Sequence, residues 1–380
     1  MRNVLFISEC TGITGGARQF MALAQGLRAK GWDVTIACPS RGETFRAAED
    51  MGLPALDFSP RQDYDVLSAV RLSRLVAGKG IDILHAHHSR AHAVGLIAEH
   101  LPKRAPVFVV TRRVSFPPAG NIFSRLKYRN PRIDAFIAVA DSVRRTLIEG
   151  GVPPEKVVVI PSGVDLERFS PRPKDAQWTR RLRLPEGVPA AGLVAHHGSW
   201  KGQDVFLRAA GVLKKRGARA VYILAGRETD CAEVRDMASA AGLDEDDARF
   251  LGFQEDIPGI LSVLDVSVSA STSGEGLSGA LRESLAMEIP VIASDVGGNR
   301  ELVEDGRTGI LFNPGDADAL ADALARTFAD PARARRTAAA GRADVRLRLG
   351  VDRMVESTAD LYDSLLRRGT WNAQLLQSVA

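Results

Sequence analysis

The chain has 380 residues, 45% hydrophobic and 25% charged, with a net charge of +4. This is globular composition, and the length suits two domains that each bury a core. Its three cysteines (Cys10, Cys38, Cys231) are too far apart for a disulfide framework or a metal knuckle, and no run of about 18 apolar residues is present to span a membrane.

In chain order, "MRNVLFISECTGITGG" carries one basic residue and a short apolar run with no small-residue cleavage pattern after it. It reads as a first strand and not as a signal peptide, and a cytoplasmic location is expected. Apolar runs then alternate with amphipathic stretches. "NVLFIS" precedes a helix over about 17–30, "DVTIAC" one near 44–51, and "ILHAH" one through 91–99. "VFVVT", a basic segment, "AFIAVA", a helix from 142 and "VVVIPSGV" follow. A second series runs "GLVAHHG", a helix over 203–216, "AVYILAG", a helix from 231, "ARFLGF", a short helix near 257–264, "VSVSAS", a helix after 276, "PVIAS" and "GILFN". Such alternation predicts parallel sheets built from crossover units, one doubly wound α/β domain in each half. The expected boundaries are an N-terminal domain over 1–165, a Pro- and charge-rich linker over 166–189, a C-terminal domain over 190–350 and a helical tail over 351–380 that packs back toward the N-terminal domain.

Charge is uneven. Up to Asp165 there are 22 Lys and Arg against 15 Asp and Glu, a net of +7, and the remainder carries −3. The segment 111–145 alone has eight basic and two acidic residues, interleaved with Phe116, Ile122, Phe123 and Tyr128. It reads either as a solvated basic face or as a surface for an anionic acceptor or an anionic membrane leaflet. Nucleic acid is not expected, because no recognised binding motif accompanies the charge.

Open parallel sheets bind ligands beyond the carboxyl ends of their strands, so the loops after strands are the ones that matter. After the first strand, Gly15 and Gly16 enter a helix, where bare amides can approach a phosphate or simply satisfy a tight turn. The pattern G-x-G-x-x-G is not met, and no acidic residue ends the second strand, which counts against a dinucleotide site. In the second half, Lys201 lies beside Gly202 between a strand and a helix, a ready point charge for phosphate or a plain surface lysine. The stretch "SASTSGEGLSGALRESLAMEIPVIAS", 269–294, offers the amides of Gly276, Leu277, Ser278 and Gly279 at the positive end of a helix. With the helix starting there, Glu283 lies about two turns in, roughly 10 Å along the axis from Glu275. The two carboxylates can contact different parts of a nucleotide sugar or merely complement the dipole.

Together these blocks resemble family 4 of the retaining glycosyltransferases, with the GT-B fold of two doubly wound Rossmann-like domains facing across a cleft. The similarity runs from "TGGARQFMALAQGLRAKGWDVTIA" through "IPSGVDLERFSP" and "WKGQDVFLRAA" to "GEGLSGALRESLAMEIPVIASDVGGNRELVEDGRTGILFNPGD", which carries the family's Glu–seven residues–Glu spacing in Glu275 and Glu283. The resemblance implies transfer of a hexosyl unit from a nucleotide diphosphate sugar, UDP favoured over GDP, to a glycan or glycolipid acceptor in cell-envelope polysaccharide or lipopolysaccharide synthesis. It implies Glu275 and Lys201 as catalytic residues. Donor contacts are implied for Gly15, Gly16, His196, Lys201, Phe253, Gly276, Leu277, Ser278 and Glu283, with Glu283 on the ribose and Phe253 beside the base. His196 stands where the family usually has an arginine, five residues before its lysine. Arg112 and Arg113 stand where many members have a histidine, and these two with His87 are the acceptor-side candidates. His85, His87 and His88 either face the acceptor or serve as core histidines. No cofactor and no essential metal is implied: Asp63-Tyr64-Asp65 and Asp316-Ala317-Asp318 look like Asp-x-Asp but begin helical stretches. Peripheral association with the inner face of the membrane is expected through 111–145. A catalytically silent sugar-nucleotide-binding protein and a GT-B epimerase are the alternatives, whereas a phosphorylase would call for a pyridoxal-lysine site.

Overall fold

The structure is a computed structural model that describes residues 2–101 and 105–368; residues 369–380 of the expected tail lie outside them. Two compact units are present, one built from the chain up to Gly163 together with the residues from Val351 onward, the other from Val164–Gly350.

Among the described residues the first unit has seven strands: β1 (Asn3–Ile7), β2 (Asp33–Cys38), β3 (Ala55–Asp57), β4 (Ile83–Ala86), β5 (Val107–Arg112), β6 (Ala135–Ala138) and β7 (Val157–Val159). They pair in parallel in the order β3-β2-β1-β4-β5-β6-β7. Helices on both faces bury such strands, which is why Val4 to Ile7 of β1 form an unbroken apolar run with no exposed surface. The helix Val351–Arg368 joins this unit by packing on the helix Gly15–Ala29. A Cβ on Gly26 would lie 2.3 Å from Val355 Cγ2, so this close approach depends on a bare α-carbon. The Tyr362 hydroxyl sits 2.5 Å from His85 Nδ1 on β4, and the other ring nitrogen is 2.6 Å from Thr111 Oγ1, so every polar atom of this buried contact is paired.

The second unit has, among the described residues, β8 (Ala190–Val194), β9 (Val221–Ala225), β10 (Ala248–Phe250), β11 (Val266–Ser269), β12 (Val291–Ser294) and β13 (Ile310–Phe312), parallel in the order β10-β9-β8-β11-β12-β13. Its chain begins at Val164, so the Pro- and charge-rich stretch up to Pro189 lies within it. There the helix Ala176–Arg181 is capped by Asp175, whose carboxylate accepts from Gln177 N and Trp178 N. Trp178 is buried in the core and donates its indole N–H to Asp256 Oδ2 at 2.7 Å, while Asp256 also caps the helix Ile257–Ser262 through Gly259 N. In each sheet the order reverses beside the first strand of the unit, between β1 and β4 and between β8 and β11, and ligands of doubly wound sheets bind at such switch points.

Asp65 and Asp316, from the two Asp-x-Asp stretches, are helix N-caps accepting from Ser68 N and Ala319 N. The sequence reading passed over β3 and the short helix Ile122–Tyr128, capped by Asn121. No helix among the described residues is long and apolar enough to cross a membrane. Replacing Trp178 with alanine should lower unfolding free energy by roughly 3–5 kcal/mol, the range for emptying a large buried site. Urea melts of the wild type and variant measure it; a loss below about 1 kcal/mol would detach this helix from the second core.

Candidate active site

The carboxyl edge of the second sheet is assembled from loops that hydrogen-bond to one another. Gly202 has φ +72°, and a Cβ there would sit 1.9 Å from the carbonyl oxygen of Ala270, at the end of β11. Only glycine fits both the left-handed conformation and this approach. The loop after β8 is held down by bonds from Thr272 N to Trp200 O at 2.8 Å and from Gln203 Nε2 to His196 O at 2.9 Å. Lys201 Nζ thereby comes within 2.8 Å of Glu275 Oε2, and the Ser271 hydroxyl donates to the same oxygen at 2.8 Å. Glu275 is only 8% exposed, so this is a shielded ion pair. His196 lies edge-on to Trp200, with ring centroids 5.7 Å apart. Burial and the Lys201 charge hold its pKa below the ordinary 6.5, against the opposing pull of Glu275 and Glu228. It is therefore mostly neutral at pH 7 without ligand.

The next loops join in the same way. Gly226 has φ +143°, and a Cβ there would be 2.1 Å from Ala195 O. His197 N donates to Arg227 O and Gly226 N to Gly252 O, each at 2.8 Å, linking the loops after β8, β9 and β10. Phe253 follows this last loop, half exposed, with the Arg227 guanidinium 4.6 Å from its ring centroid.

The helix after β11 begins later than the sequence suggests. It runs Gly279–Ala286, with Ser278 as N-cap accepting from Leu281 N, while Gly276 and Leu277 belong to the preceding turn. Glu283 is therefore just over one turn into the helix, and Glu275 is not on it, which replaces the two-turn, axial separation expected from sequence. The Glu275 carbonyl instead accepts from Gly298 N at 3.2 Å, tying this loop to the one after β12. Glu283 Oε1 and Arg282 Nη2 lie 3.9 and 3.8 Å from where a Cβ on Gly279 would be, so a carboxylate and a cation flank a bare α-carbon at a helix N-terminus. Arg282 is 4% exposed; burial lowers its pKa to about 10, and the charges of Glu283 and Glu275 oppose that loss. Nothing in the sequence singles out Ser271, whereas the cation of Arg282 next to Glu283 in this short helix was a usable signal.

In the first unit, the loop after β1 is fixed by Glu9, whose carboxylate accepts from Arg90 N and Ala91 N, each at 2.9 Å, at the start of the helix Ser89–Glu99. Ser8 Oγ lies 2.7 Å from His88 Nδ1 and accepts from Cys10 N. A Cβ on Gly16 would touch His88 Nε2 at 3.4 Å and Arg113 Cδ at 3.5 Å, whereas Gly15 faces open space. Arg113 donates to Ser162 Oγ at 3.2 Å and lies 3.5 Å from His87 Nδ1. His87 itself is 2% exposed, stacked on Phe20 and edge-on to Phe6, with its pKa pushed well down by burial. His85 and His87 thus occupy core positions, and His88 is the histidine that reaches Gly16. Arg112 turns away, donating to Tyr128 Oη and Phe116 O.

Two parallel-sheet Rossmann-like units, each with its switch-point loops ordered in this way, define a GT-B protein. Residues 13–168 match the family model described as Glycosyltransferase Family 4, and residues 189–330 the one described as Glycosyl transferases group 1. Among relatives, the chain is 30% identical to the lipopolysaccharide core biosynthesis mannosyltransferase LpsB of Rhizobium meliloti, over 63% of this chain and 68% of that one. It is 33% identical to a GDP-mannose-dependent alpha-(1-6)-phosphatidylinositol monomannoside mannosyltransferase of Mycolicibacterium smegmatis, over 48% of this chain and 50% of that one. The crystal structure of Anabaena HepE with UDP and glucose superposes with a TM-score of 0.85 at 22% identity, covering 96% of this chain and all of that one. The chain belongs to glycosyltransferase family 4.

The electrostatics of His196 are directly measurable. In the ligand-free protein its ring should titrate below 6.5, and Lys201→Met should move the midpoint up, because a neighbouring cation is lost and Glu275 is left less compensated. Proton NMR of the imidazole reads both; an unchanged midpoint in the variant would mean that Lys201 does not act on this ring.

Proposed function

We propose that this family 4 member transfers a sugar from a nucleotide diphosphate sugar, with retention of anomeric configuration, to a glycan or glycolipid acceptor in cell-envelope polysaccharide or lipopolysaccharide synthesis. The observation that carries this reading is the shielded Lys201–Glu275 pair at the β8/β11 switch point, in the loop that leads to the helix N-terminus at Gly279. Lys201 and the first helix amides suit the charge that builds on a leaving diphosphate, where preorganised donors contribute most to rate. Glu283, beside the bare Gly279, is suited to a ribose diol, and Phe253 offers a face for the base. Glu275 is left for the sugar. No side chain need act as a strong nucleophile: an oxygen of the leaving diphosphate can take the acceptor's proton on the face it departs from. His196 would add a charge-assisted bond only when protonated, a state that a bound diphosphate favours.

The UDP complex of HepE supports a UDP-sugar donor, which we favour, while the GDP-mannose-dependent relative supports the other base. Thermal-shift screening separates them, since a ligand at about 100 times its dissociation constant adds roughly 2.7 kcal/mol. With the preferred nucleotide diphosphate, Glu283→Ala should weaken binding about tenfold, the loss of hydrogen bonds to a charged acceptor. Glu275→Gln should lower kcat by about 10²-fold while nucleotide affinity holds. Calorimetry and initial rates measure the split, and equal losses in both quantities would contradict the assignment of Glu275 to the sugar.

Acceptor access is proposed at the inner face of the cytoplasmic membrane, through 111–145. The helix Ile122–Tyr128 leaves Ile122, Phe123 (79%) and Leu126 exposed, with Arg125 and Arg129 exposed beside them. Lys127 is not part of that face: it reaches inward to Ser89 O at 2.6 Å and Asp63 Oδ2 at 3.7 Å. A Phe123→Ser, Arg125→Glu variant should stop cosedimenting with vesicles containing phosphatidylglycerol and keep its nucleotide affinity. Undiminished sedimentation would leave a solvated basic face.

A further inference from the structure

We propose that Ser271 is a positioning residue for Glu275, and that its hold matters most once donor is bound. This rests on the donor site proposed above. Two hydrogen bonds to the Glu275 carboxylate converge on Oε2, from Lys201 Nζ and from Ser271 Oγ, each at 2.8 Å. Oε1 takes neither and is left for substrate. The two clamps respond differently to a diphosphate. Lys201 is a cation, and an incoming group with two or more negative charges competes for it with the single charge of Glu275. Ser271 is neutral and feels no such pull. As Lys201 turns to the phosphates, the serine hydroxyl becomes the remaining constraint on which carboxylate oxygen faces the sugar.

Ser271 is itself immobilised. It is 2% exposed, and its carbonyl accepts from the Ser294 hydroxyl at 2.5 Å. The Ser294 carbonyl accepts in turn from Asn299 Nδ2 at 3.1 Å, and Ser294 and Asn299 are completely buried. The Glu275 main chain is tied to the same region through Gly298 N. The carboxylate is therefore braced at its backbone and at Oε2 from the ends of two adjacent strands, β11 and β12. A misplacement of about 1 Å in a catalytic group is enough to slow a reaction about 10²-fold.

The test uses Ser271→Ala and Ser271→Thr in the full chain, with UDP and GDP as binding probes and UDP-glucose and GDP-mannose as donors for hydrolysis. Ser271→Ala should bind the nucleotide diphosphate within about twofold of wild type and lose about tenfold or more in kcat, the value of one hydrogen bond to a charged group. Ser271→Thr keeps the hydroxyl and should recover most of the rate. A wild-type rate in the alanine variant, a parallel loss of nucleotide affinity, or a threonine variant as slow as alanine would each overturn the positioning role. Thermal melts of both variants show whether either loss is one of folding, and only a slow variant that melts like wild type supports the proposal. A wild type that binds neither nucleotide, or binds one and releases sugar from neither donor, overturns the transferase reading instead and leaves Ser271 with no reaction to serve.

Discussion

The contact between the α-carbon of Gly202 and the carbonyl of Ala270 sets the geometry of the whole second-unit edge. A side chain at 202 would overlap that oxygen, lift the loop after β8 off the end of β11, and carry Lys201 away from Glu275. Burying an ion pair costs several kcal/mol of desolvation per charge, which mutual attraction offsets only with good geometry and further hydrogen bonds. The Ser271 hydroxyl supplies such a bond to the carboxylate, while the backbone ties from Gly298 to the Glu275 carbonyl and from Thr272 to the Trp200 carbonyl fix the geometry. Such a pair is a poor way to gain stability and a good way to hold two charges at a defined place.

Burial also decides which cations are available. His196 is depressed by desolvation and by Lys201, and His85 and His87 in the first unit are pushed well down, chiefly by burial and further by the Arg113 charge. Lys201 lies against Glu275, and Arg282, beside Glu283, stays charged at neutral pH even with its pKa lowered to about 10. Lys201 is paired with Glu275, so a diphosphate bound as proposed would have to compete for a lysine already engaged.

The basic segment of the first unit divides its charge between two uses. Arg112 and Lys127 turn inward, onto Tyr128, the Phe116 carbonyl, Ser89 and Asp63, and so anchor the helix Ile122–Tyr128. The arginines left outside flank an apolar face, and exposed large side chains grouped on one short helix are what a contact surface needs.

Strand and helix alternation, the doubly wound class, and the helical starts at Asp63-Tyr64-Asp65 and Asp316-Ala317-Asp318 were legible in the sequence, because each depends on residues within a few positions of one another. The same short range explains what was not. Proline and charge marked 166–189 as a linker, whereas Trp178 within it pairs with Asp256, 78 positions on, and packs into the second core. Arg112 and Arg113 are neighbours that point to different partners. His87 and His88 are neighbours of which one is core and one reaches Gly16. The Glu–seven residues–Glu spacing was readable, yet the turn before Gly279 removes Glu275 from the helix axis. Ser271 carries no sequence signal at all. Strand order brings loops 74 positions apart within 2.8 Å, as with Lys201 and Glu275, and only that tertiary pairing determines which oxygen of the carboxylate is held.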